Sequence, residues 1–543
     1  MQLPATNQPD TLFANRRRAL AVAGALVFFL VLSLLLIRAC GAPLPVVDPL
    51  NRYRPAMKTD FQNQLDTLEG APRYALDVHL DLQENLLTGT ATIALVNTSA
   101  DPWPYLLFRL YPALPHYGGK MTFQSVAVDG QPVPYDYQAG NTAMRMHLPQ
   151  PLAPQGTAEV RLVWKLEIPV WPDASSVYAL FGRSQQMVSL PLFYPALAVY
   201  QPGPLPSSGR WWLDRGSVRG DAAFNLTSLF VVTATLPADQ VPVTSGTLIT
   251  STLVSRNVAR HVWVTGPARE FLLHASPLFR SAATEAMGTR VTSYWLPGQE
   301  AAGKATLGYA VAALRIYSDR FGAYPYRDLR IAPAPLSYRG MEYPQASLVG
   351  MELYGLFRDN LEMLVVHEVA HQWWYQLVHN DPVNEPWLDE ALAEYSMKLY
   401  MEKLYGKPNA DALQAERWQL PFDSLKTTKT DDIMGQPVDS FATDAQYEAI
   451  IYGKGALFYD ALRQTLGDRQ FDQFLADYLT RHRYAIVDSA TWLTDVQALK
   501  RPNLNRLYRE WVDGIRDTGY GKQRRPSIPY PVSCPTEVHY ANC

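Results

Sequence analysis

Two histidines four positions apart, His367 and His371, are the residues of this sequence best suited to chemistry. On a helix this spacing places both imidazoles on one face, one turn apart, where the two rings can hold one metal ion. Glu368 lies between them and falls beside that ion, in the position of a general base. The pattern therefore indicates metal-assisted hydrolysis.

The helix that carries these residues is predicted over Leu361 to His379, because this stretch is almost wholly apolar and Asn380, Asp381 and Pro382 then supply a stop signal. A second helix is expected with Asn384 as its N-cap and Pro386 in its first turn.

The second helix would bring a third ligand to the metal. Eighteen residues separate His371 from Glu390, enough for a turn and a return that places Glu390 over the histidines. Two His and one Glu leave the fourth tetrahedral position open, as catalytic zinc requires. A closed structural site would need a fourth protein ligand, usually Cys, and no Cys lies nearby.

The segment HEVAHQWW followed by WLDEALAEY resembles the M1 family of zinc metallopeptidases, the group that includes aminopeptidase N. That family has its third ligand inside a W-L-N-E block, and here Asp389 stands where Asn is usual. The resemblance implies one zinc ion per chain, with His367, His371 and Glu390 as ligands and Glu368 as base. It also implies a thermolysin-like, mainly helical catalytic domain preceded by a β-rich saddle.

A short motif twenty-five residues before the first histidine also resembles the family. Gly340, Met341 and Glu342 match its G-x-M-E-N motif, while the flanking residues Arg339 and Tyr343 depart from it. Taken alone the segment is typical of a surface loop with an exposed acid. In the family the backbone of this motif pairs with the substrate as an added strand, and its Glu binds the free α-amine. The resemblance therefore implies a substrate-binding role for these three residues.

Three further positions carry weaker signals. Tyr452 lies in a segment that resembles the family's Tyr-x-Lys-Gly element, whose phenol stabilises the oxyanion, although a buried tyrosine is usually a packing residue. Glu394, one turn beyond Glu390, either orients a ligand histidine or lies on a solvated helix face. Leu192 and Tyr194 stand where the family has a Gln-x-Glu pattern that helps bind the substrate amine, so that contact is expected to be missing.

The chain before residue 280 is predicted to be a β-rich domain, 61–280. Arg73 to Leu82, Thr88 to Val96 and Ala158 to Leu166 alternate apolar and polar residues, and Asp129-Gly130 marks a turn. No chemistry is evident in this sandwich or saddle.

The catalytic domain is predicted over 281–518, with a long helix at Ala301 to Phe321 and a strand at Asp328 to Ala334. A Pro-rich tail, 519–543, follows. The fold class is therefore multidomain, β followed by α+β.

The N-terminus predicts a membrane anchor. Arg16 to Arg18 precede nineteen uncharged, mostly apolar residues, and 19–38 is expected to be a transmembrane helix between a cytoplasmic tail, 1–18, and a Pro-rich stalk, 39–60. A signal peptide normally has a shorter apolar core, and Arg38 argues against lipid attachment at the Cys that follows. The chain is thus expected to be a single-pass membrane protein whose catalytic domain lies outside the cytoplasm.

Composition narrows the partners. The net charge is −3 with no basic run after residue 18, so nucleic acid is not expected as a partner. Of the three cysteines, Cys534 and Cys543 are close enough in sequence to pair, Cys40 would be left over, and three free thiols are equally compatible with the sequence. The oligomeric state is not indicated.

These observations predict a zinc metallopeptidase acting on peptides, most simply an aminopeptidase that releases N-terminal residues. Two alternatives stay open at this point. One is another reaction in the same site, such as endopeptidase or epoxide hydrolase chemistry. The other is a binding module that retains zinc without catalysis, although such a module would need neither Glu368 nor Tyr452.

Overall fold

The computed structural model of this chain describes residues 50–68, 70–171, 179–203, 208–213, 217, 219–355, 358–501 and 503–514. The predicted cytoplasmic tail, transmembrane helix, first part of the stalk and Pro-rich tail lie outside these residues, as do all three cysteines. Within the described ranges, no helix is both long enough and apolar enough to cross a membrane.

The first part of the chain is rich in β-structure, as predicted. Its strands are β1 (Arg73–Asp81), β2 (Leu86–Val96), β3 (Trp103–Arg109), β4 (Lys120–Val128), β5 (Gln131–Pro132), β6 (Tyr135–Gln138), β7 (Ala143–Leu152), β8 (Thr157–Glu167), β9 (Gly182–Arg183), β10 (Val188–Pro191), β11 (Ala196–Leu197), β12 (Tyr200–Gln201), β13 (Arg210–Trp211), β14 (Leu229–Pro237), β15 (Val241–Thr244), β16 (Thr247–Ser255), β17 (Val258–Val264) and β18 (Leu272–Ser276).

These strands form an eight-stranded sheet in the order β16-β17-β14-β1-β2-β8-β4-β5, two four-stranded sheets, β15-β18-β10-β9 and β11-β3-β7-β6, and the pair β12-β13. The three strands predicted from alternation, β1, β2 and β8, are confirmed, and along each of them buried side chains alternate with half-buried or exposed ones. The predicted Asp129-Gly130 turn joins β4 to β5 with both residues at positive φ, which suits the twist of a two-residue hairpin.

The rest of the chain holds one small sheet and the α-helices. The sheet has the order β19-β20-β21-β23-β22, so β22 is an edge strand. Its strands are β19 (Arg280–Ala286), β20 (Thr289–Trp295), β21 (Asp328–Ala334), β22 (Gly340–Tyr343) and β23 (Ala346–Gly350). The helices are α1 (Glu300–Phe321), α2 (Leu361–Ala370), α3 (Glu390–Tyr405), α4 (Lys407–Leu413), α5 (Leu420–Thr428), α6 (Asp444–Glu448), α7 (Gly455–Leu466), α8 (Asp468–His482), α9 (Ser489–Ala498) and α10 (Leu504–Trp511).

The predicted helix and strand of this part are confirmed. Helix α1 begins one residue before its predicted start and ends at Phe321, and its C-cap Gly322 has a φ of 137°, outside helical geometry. Strand β21 has its predicted bounds. The described chain thus has a β-rich N-terminal part and a mainly helical C-terminal part.

The last residues of the predicted stalk differ from the expectation. The residues from Arg52 onward belong to the compact unit that contains the strands and helices. Tyr53 and Met57 are buried, Met57 forms a β-bridge with Tyr326, and the Lys58 backbone N–H donates to the Pro325 carbonyl oxygen over 2.9 Å. Burial of these apolar side chains outweighs the extended tendency of the prolines that suggested a spacer.

Candidate active site

The helix that carries the two histidines is shorter than predicted. Helix α2 ends at Ala370 and His371 is its C-cap, whereas the sequence predicted a helix to His379. The Gln372 and Trp373 backbone N–H groups donate three residues back, and Tyr375 then takes a φ of 137°.

The cause of this early end is tertiary. The Gln372 side chain donates to the Tyr343 carbonyl oxygen, and the Gln376 side chain donates to the Glu342 carbonyl oxygen. Both amides therefore fix strand β22 beside the histidines. The sequence has no Gly or Pro at this turn, so its pattern predicts a helix that continues beyond the observed end.

The second helix also begins later than predicted. A 3₁₀ turn, Pro386–Leu388, comes first, and α3 starts at Glu390 with Asp389 as its N-cap. The Asp389 side chain accepts a hydrogen bond from the Glu390 N–H over 2.9 Å. The predicted cap, Asn384, instead donates its side-chain amide to Asp381. Glu390 thus occupies the helix N-terminus, where the helix dipole stabilises a carboxylate.

Three side-chain atoms form a triangle that fits a metal ion. The Nε2 atoms of His367 and His371 are 3.1 Å apart, and Glu390 Oε2 lies 3.3 Å from each. A tetrahedral zinc with ligands about 2.0–2.1 Å away has edges of about 3.3–3.4 Å between ligand atoms. In the described part of the chain this is the group of His, Cys, Asp and Glu residues placed to hold a metal.

The far side of each imidazole is already engaged. His371 Nδ1 lies 2.9 Å from the Trp374 carbonyl oxygen, and His367 Nδ1 lies 3.2 Å from Glu394 Oε2. Each Nδ1 can therefore carry the proton, which leaves both Nε2 lone pairs facing one point. Two such lone pairs at 3.1 Å repel one another unless a cation lies between them. The donor set therefore fits zinc.

Glu394 is fully buried, so the alternative of a solvated helix face is wrong. Its carboxylate also accepts hydrogen bonds from Arg417 and from the Trp418 indole N–H. Burial alone would raise the pKa of Glu394, but Arg417 and His367 outweigh it and lower the pKa to about 2. The carboxylate therefore stays ionised behind the His367 ring.

The site strongly favours positive charge at its centre. With no ion bound, burial lowers the pKa of His367, yet the hydrogen bonds to Glu390 and Glu394 outweigh this and raise it to about 9. Burial would raise the pKa of Glu390, but the two imidazoles bring it below its usual range. A divalent cation would satisfy the same carboxylates without protonating the histidines.

Glu368 points into the same cleft beside this triangle. Its Oε2 is buried and accepts no hydrogen bond from any described residue. A Cβ at Gly340 would lie 1.9 Å from Glu368 Oε1, so only glycine lets the carboxylate pack against the backbone of β22. Burial raises the pKa of Glu368 to about 8.

The motif that looked like a surface loop is the edge strand β22, paired antiparallel with β23. Gly340, Met341 and Glu342 all line the cleft with the histidines. Glu342 is buried rather than exposed, so the interpretation from this motif alone is wrong. An edge strand keeps unpaired backbone groups that an extended peptide can use.

Tyr452 reaches the cleft from a π-helical turn, Ala449–Lys454. Its hydroxyl interacts with Glu390, and its ring centroid lies 5.9 Å from that of His367. A Cβ at Gly455 would lie 2.4 Å from the Cβ of Ala391, so glycine there allows this turn to approach α3. Burial raises the pKa of the phenol well above its usual value, so the hydroxyl remains a donor.

Sequence reasoning missed one wall of the cleft. Arg219, Gly220 and Asp221, from the β-rich part, line it together with β22. Leu192 and Tyr194, by contrast, lie in the hydrophobic core of the β-rich part. A polar Arg-Gly-Asp cluster before an apolar strand was the available signal, but it is common in ordinary loops.

Comparison with known proteins agrees with this geometry. Residues 306–511 match the family described as "Peptidase family M1 domain". Aminopeptidase M1-D from Oryza sativa subsp. japonica is 26% identical over 237 residues, which cover 41% of this chain and 27% of that protein. Tricorn protease-interacting factor F2 from Thermoplasma acidophilum is 25% identical over 229 residues, 40% of this chain and 29% of that protein. The chain therefore spans less than a third of the length of these curated relatives.

Solved structures extend the likeness in fold. The M1 zinc metallopeptidase from Deinococcus radiodurans has a TM-score of 0.62 and 20% identity, with 81% of this chain and 93% of that chain covered. A variant of that protein bound to a Tyr-Ser-Ala substrate has a TM-score of 0.63 and 20% identity, with 85% and 96% covered. The resemblance found in the motifs is confirmed.

We expect the metal-free protein to bind one zinc ion per chain. Glu390→Ala removes one of three ligands and should abolish most binding. Glu394→Gln keeps all three ligands but neutralises the carboxylate that contacts His367, Arg417 and Trp418, and it should weaken affinity about 10- to 100-fold. Titration against a competing chelator measures both effects. Glu402→Gln, on the same helix but paired with Arg463, is the control and should bind zinc normally. Unchanged affinity in Glu390→Ala would contradict the assigned ligands.

Proposed function

Because this chain carries a peptidase family M1 domain, we propose that it is a zinc-dependent aminopeptidase. The observation that carries the proposal is the triangle of His367, His371 and Glu390, with the Glu368 carboxylate beside it in one cleft. Two imidazoles and one carboxylate are the ligand set of catalytic zinc sites that keep a position open. The names of the rice relatives, all aminopeptidases, support the same reaction.

In this proposal Glu368 acts as the general base and then as the general acid. Its buried carboxylate accepts the proton of the attacking water and returns it to the departing amine, a role typically worth about 10²–10⁴-fold in rate. Bound zinc supplies Lewis acidity, which acidifies a water molecule and polarises the scissile carbonyl. Gly340 keeps the carboxylate against β22 and so limits where it can point.

Tyr452 is the donor assigned to the oxyanion. Its hydroxyl stays protonated because burial raises its pKa, and its position beside Glu390 places it at the metal site. A donor fixed before reaction loses no energy to reorganisation when charge develops on the carbonyl oxygen. The π-helical turn holds this position because Lys454 donates to Asp431 Oδ1 and to the Asp432 and Gly514 carbonyl oxygens.

The substrate side of the proposal rests on β22. Its free edge offers backbone groups to an extended peptide, and Glu342 faces the same cleft as the metal ligands. A peptide's α-ammonium bound at this carboxylate would place the first peptide bond at the metal. An endopeptidase would instead have to accommodate uncharged chain next to a buried carboxylate, which is unfavourable.

The finer architecture and location are part of the proposal. We infer a saddle-like β domain followed by a thermolysin-like catalytic domain. We also infer that residues 19–38 anchor the chain in a membrane with the catalytic part outside the cytoplasm, from the sequence of residues 16–37 alone. Protease added to intact cells should then digest residues 60–543, whereas complete protection would contradict this orientation.

The reaction itself is tested with peptides that differ only in N-acetylation. Zinc-loaded protein should release the first residue of the free peptide and leave the acetylated peptide largely intact. Glu368→Gln should keep its zinc and lose about 10²–10⁴-fold in kcat, because the base is gone. An assay of newly formed amino groups measures the rate, and mass spectrometry of the products identifies the bond that is cut. Internal cleavage of both peptides would favour an endopeptidase, and full activity of Glu368→Gln would contradict the assigned base.

Replacing Tyr452 by Phe removes one donor and little volume. We expect kcat to fall about 10²–10³-fold with KM changed much less, because the donor acts mainly in the transition state. Steady-state kinetics on one free peptide measures both constants. Tyr459→Phe is the matched control, since Tyr459 is a buried tyrosine on α7, away from the cleft. An equal loss in both variants would assign Tyr452 to packing.

A further inference from the structure

Asp221 has a buried carboxylate oxygen without a hydrogen-bond partner. Its Oδ1 accepts from the Ala223 backbone N–H over 3.0 Å, whereas its Oδ2 accepts no hydrogen bond from the described residues. The side chain is 8% exposed and lines the cleft that contains the metal ligands. The Tyr375 hydroxyl also interacts with this carboxyl, but its contacts of 3.4 to 3.5 Å go to the Ala223 carbonyl oxygen and Glu270.

A second carboxylate of the same cleft, that of Glu342, interacts electrostatically with Asp221. Burial and the charge of Glu342 raise the pKa of Asp221 to about 7. Among the described residues, no Arg or Lys forms an ion pair with either acid. The two arginines of the cleft are engaged elsewhere, Arg219 with Asp444 and Arg339 with Glu448. The positive groups beside Glu342 are the imidazoles of His371 and His367. Glu270 adds a third buried acid, which interacts with Asp221 and Glu342. Buried acids in excess of positive charge are costly, so a cationic ligand is the group that would stabilise them.

A primary ammonium group fits this pair better than a metal ion does. It carries three N–H donors, so two carboxylates can each accept one and leave a third for another acceptor. Asp221 and Glu342 are not part of a metal-holding group in the described chain. Both acids line the same cleft as His367 and His371, so an ammonium group bound there would belong to the substrate itself.

We propose that Asp221 and Glu342 together form the subsite for the substrate's α-ammonium group, with Oδ2 of Asp221 as the second acceptor. The proposal rests on the aminopeptidase function and assigns it a residue that the motifs do not contain. Leu192 and Tyr194 left only one expected amine contact, and Asp221 supplies the missing one from a different segment. The chain should therefore discriminate strongly against blocked N-termini.

The segment that carries Asp221 is held in place. Arg219 donates to Asp444 and to the Phe441 carbonyl oxygen, which ties this loop of the β-rich part to the helical part. A Cβ at Gly220, whose φ is 63°, would lie 3.0 Å from the Tyr447 hydroxyl. The carboxylate is thus positioned before a ligand arrives, which is what selective recognition of a small group requires.

Equilibrium binding tests the subsite without turnover. In the zinc-loaded Glu368→Gln protein, calorimetry compares L-leucine amide with 4-methylpentanamide, its analogue without the amine. At pH 7.4 an α-amine with a pKa of about 7.7–8.0 is still mostly protonated, whereas Asp221, with a pKa of about 7, is mostly ionised. The Glu368→Gln protein with Asp221 unchanged should bind the amine-bearing ligand more tightly than its analogue. Asp221→Asn should reduce that advantage about 10- to 100-fold, as expected for one charge-assisted hydrogen bond.

Three further variants separate recognition from structure. Asp439→Asn changes a carboxylate that bonds Ser217 near the same loop but outside the cleft, and it should leave the advantage intact. Glu342→Gln should reduce the advantage as Asp221→Asn does. Asp221→Glu keeps the charge and should restore part of it, which a purely structural defect would not do. Melting temperature and zinc content are recorded for each.

The outcomes are separable. An amine advantage that survives Asp221→Asn would overturn the role of Asp221, and no advantage in the starting protein would overturn the subsite. If every peptide resists hydrolysis while the amine advantage is present and depends on Asp221, the aminopeptidase function fails but the subsite stands. If peptides are cleaved with equal efficiency in Asp221→Asn and the parent, free and N-acetylated alike, the subsite fails and a peptidase remains.

Discussion

The structure depends on negative charge buried around two imidazoles. Glu390, Glu394 and Glu368 all lie in the interior within reach of His367 or His371. Buried carboxylates in such number are unfavourable unless positive charge accompanies them. Arg417 forms an ion pair with Glu394, and the space between the two imidazoles and Glu390 is left to a cation. The fit of this site to a metal ion follows from this constraint. Burial among these acids also raises the pKa of Glu368.

The elements around His367, His371 and Glu390 are arranged so that these side chains meet. Helix α2 ends at Ala370 so that two glutamine side chains can fix the backbone of β22, and Gly340 gives Glu368 its space. Helix α3 begins at Glu390, which puts the third ligand at a helix N-terminus. Gly455 allows the π-helical turn with Tyr452 to approach α3. The β-rich part also lines the cleft, through Asp221.

The sequence predicted the elements whose signals are local. Alternation identified β1, β2 and β8, and the helix α1 and strand β21 were recognised from periodicity and from Gly322. The pairing of His367 with His371 also followed from spacing, because the His-Glu-x-x-His pattern depends only on helical geometry. Glu390 was expected from its eighteen-residue separation and from the family resemblance.

The errors arose where distant contacts decide the local structure. The end of α2 depends on hydrogen bonds to β22, and the cap of α3 on a single aspartate rather than on Asn384. The burial of Glu342 and the position of Asp221 depend on packing between segments that lie more than one hundred residues apart. Periodicity carries no information about such contacts.

The most direct test of the metal-centred account is anomalous X-ray diffraction from crystals of residues 52–514 grown with zinc. The account predicts one strong peak at the zinc absorption edge, bonded to the Nε2 atoms of His367 and His371 and to Glu390, with no fourth protein ligand. A peak elsewhere, or a fourth protein side chain closing the coordination, would contradict it.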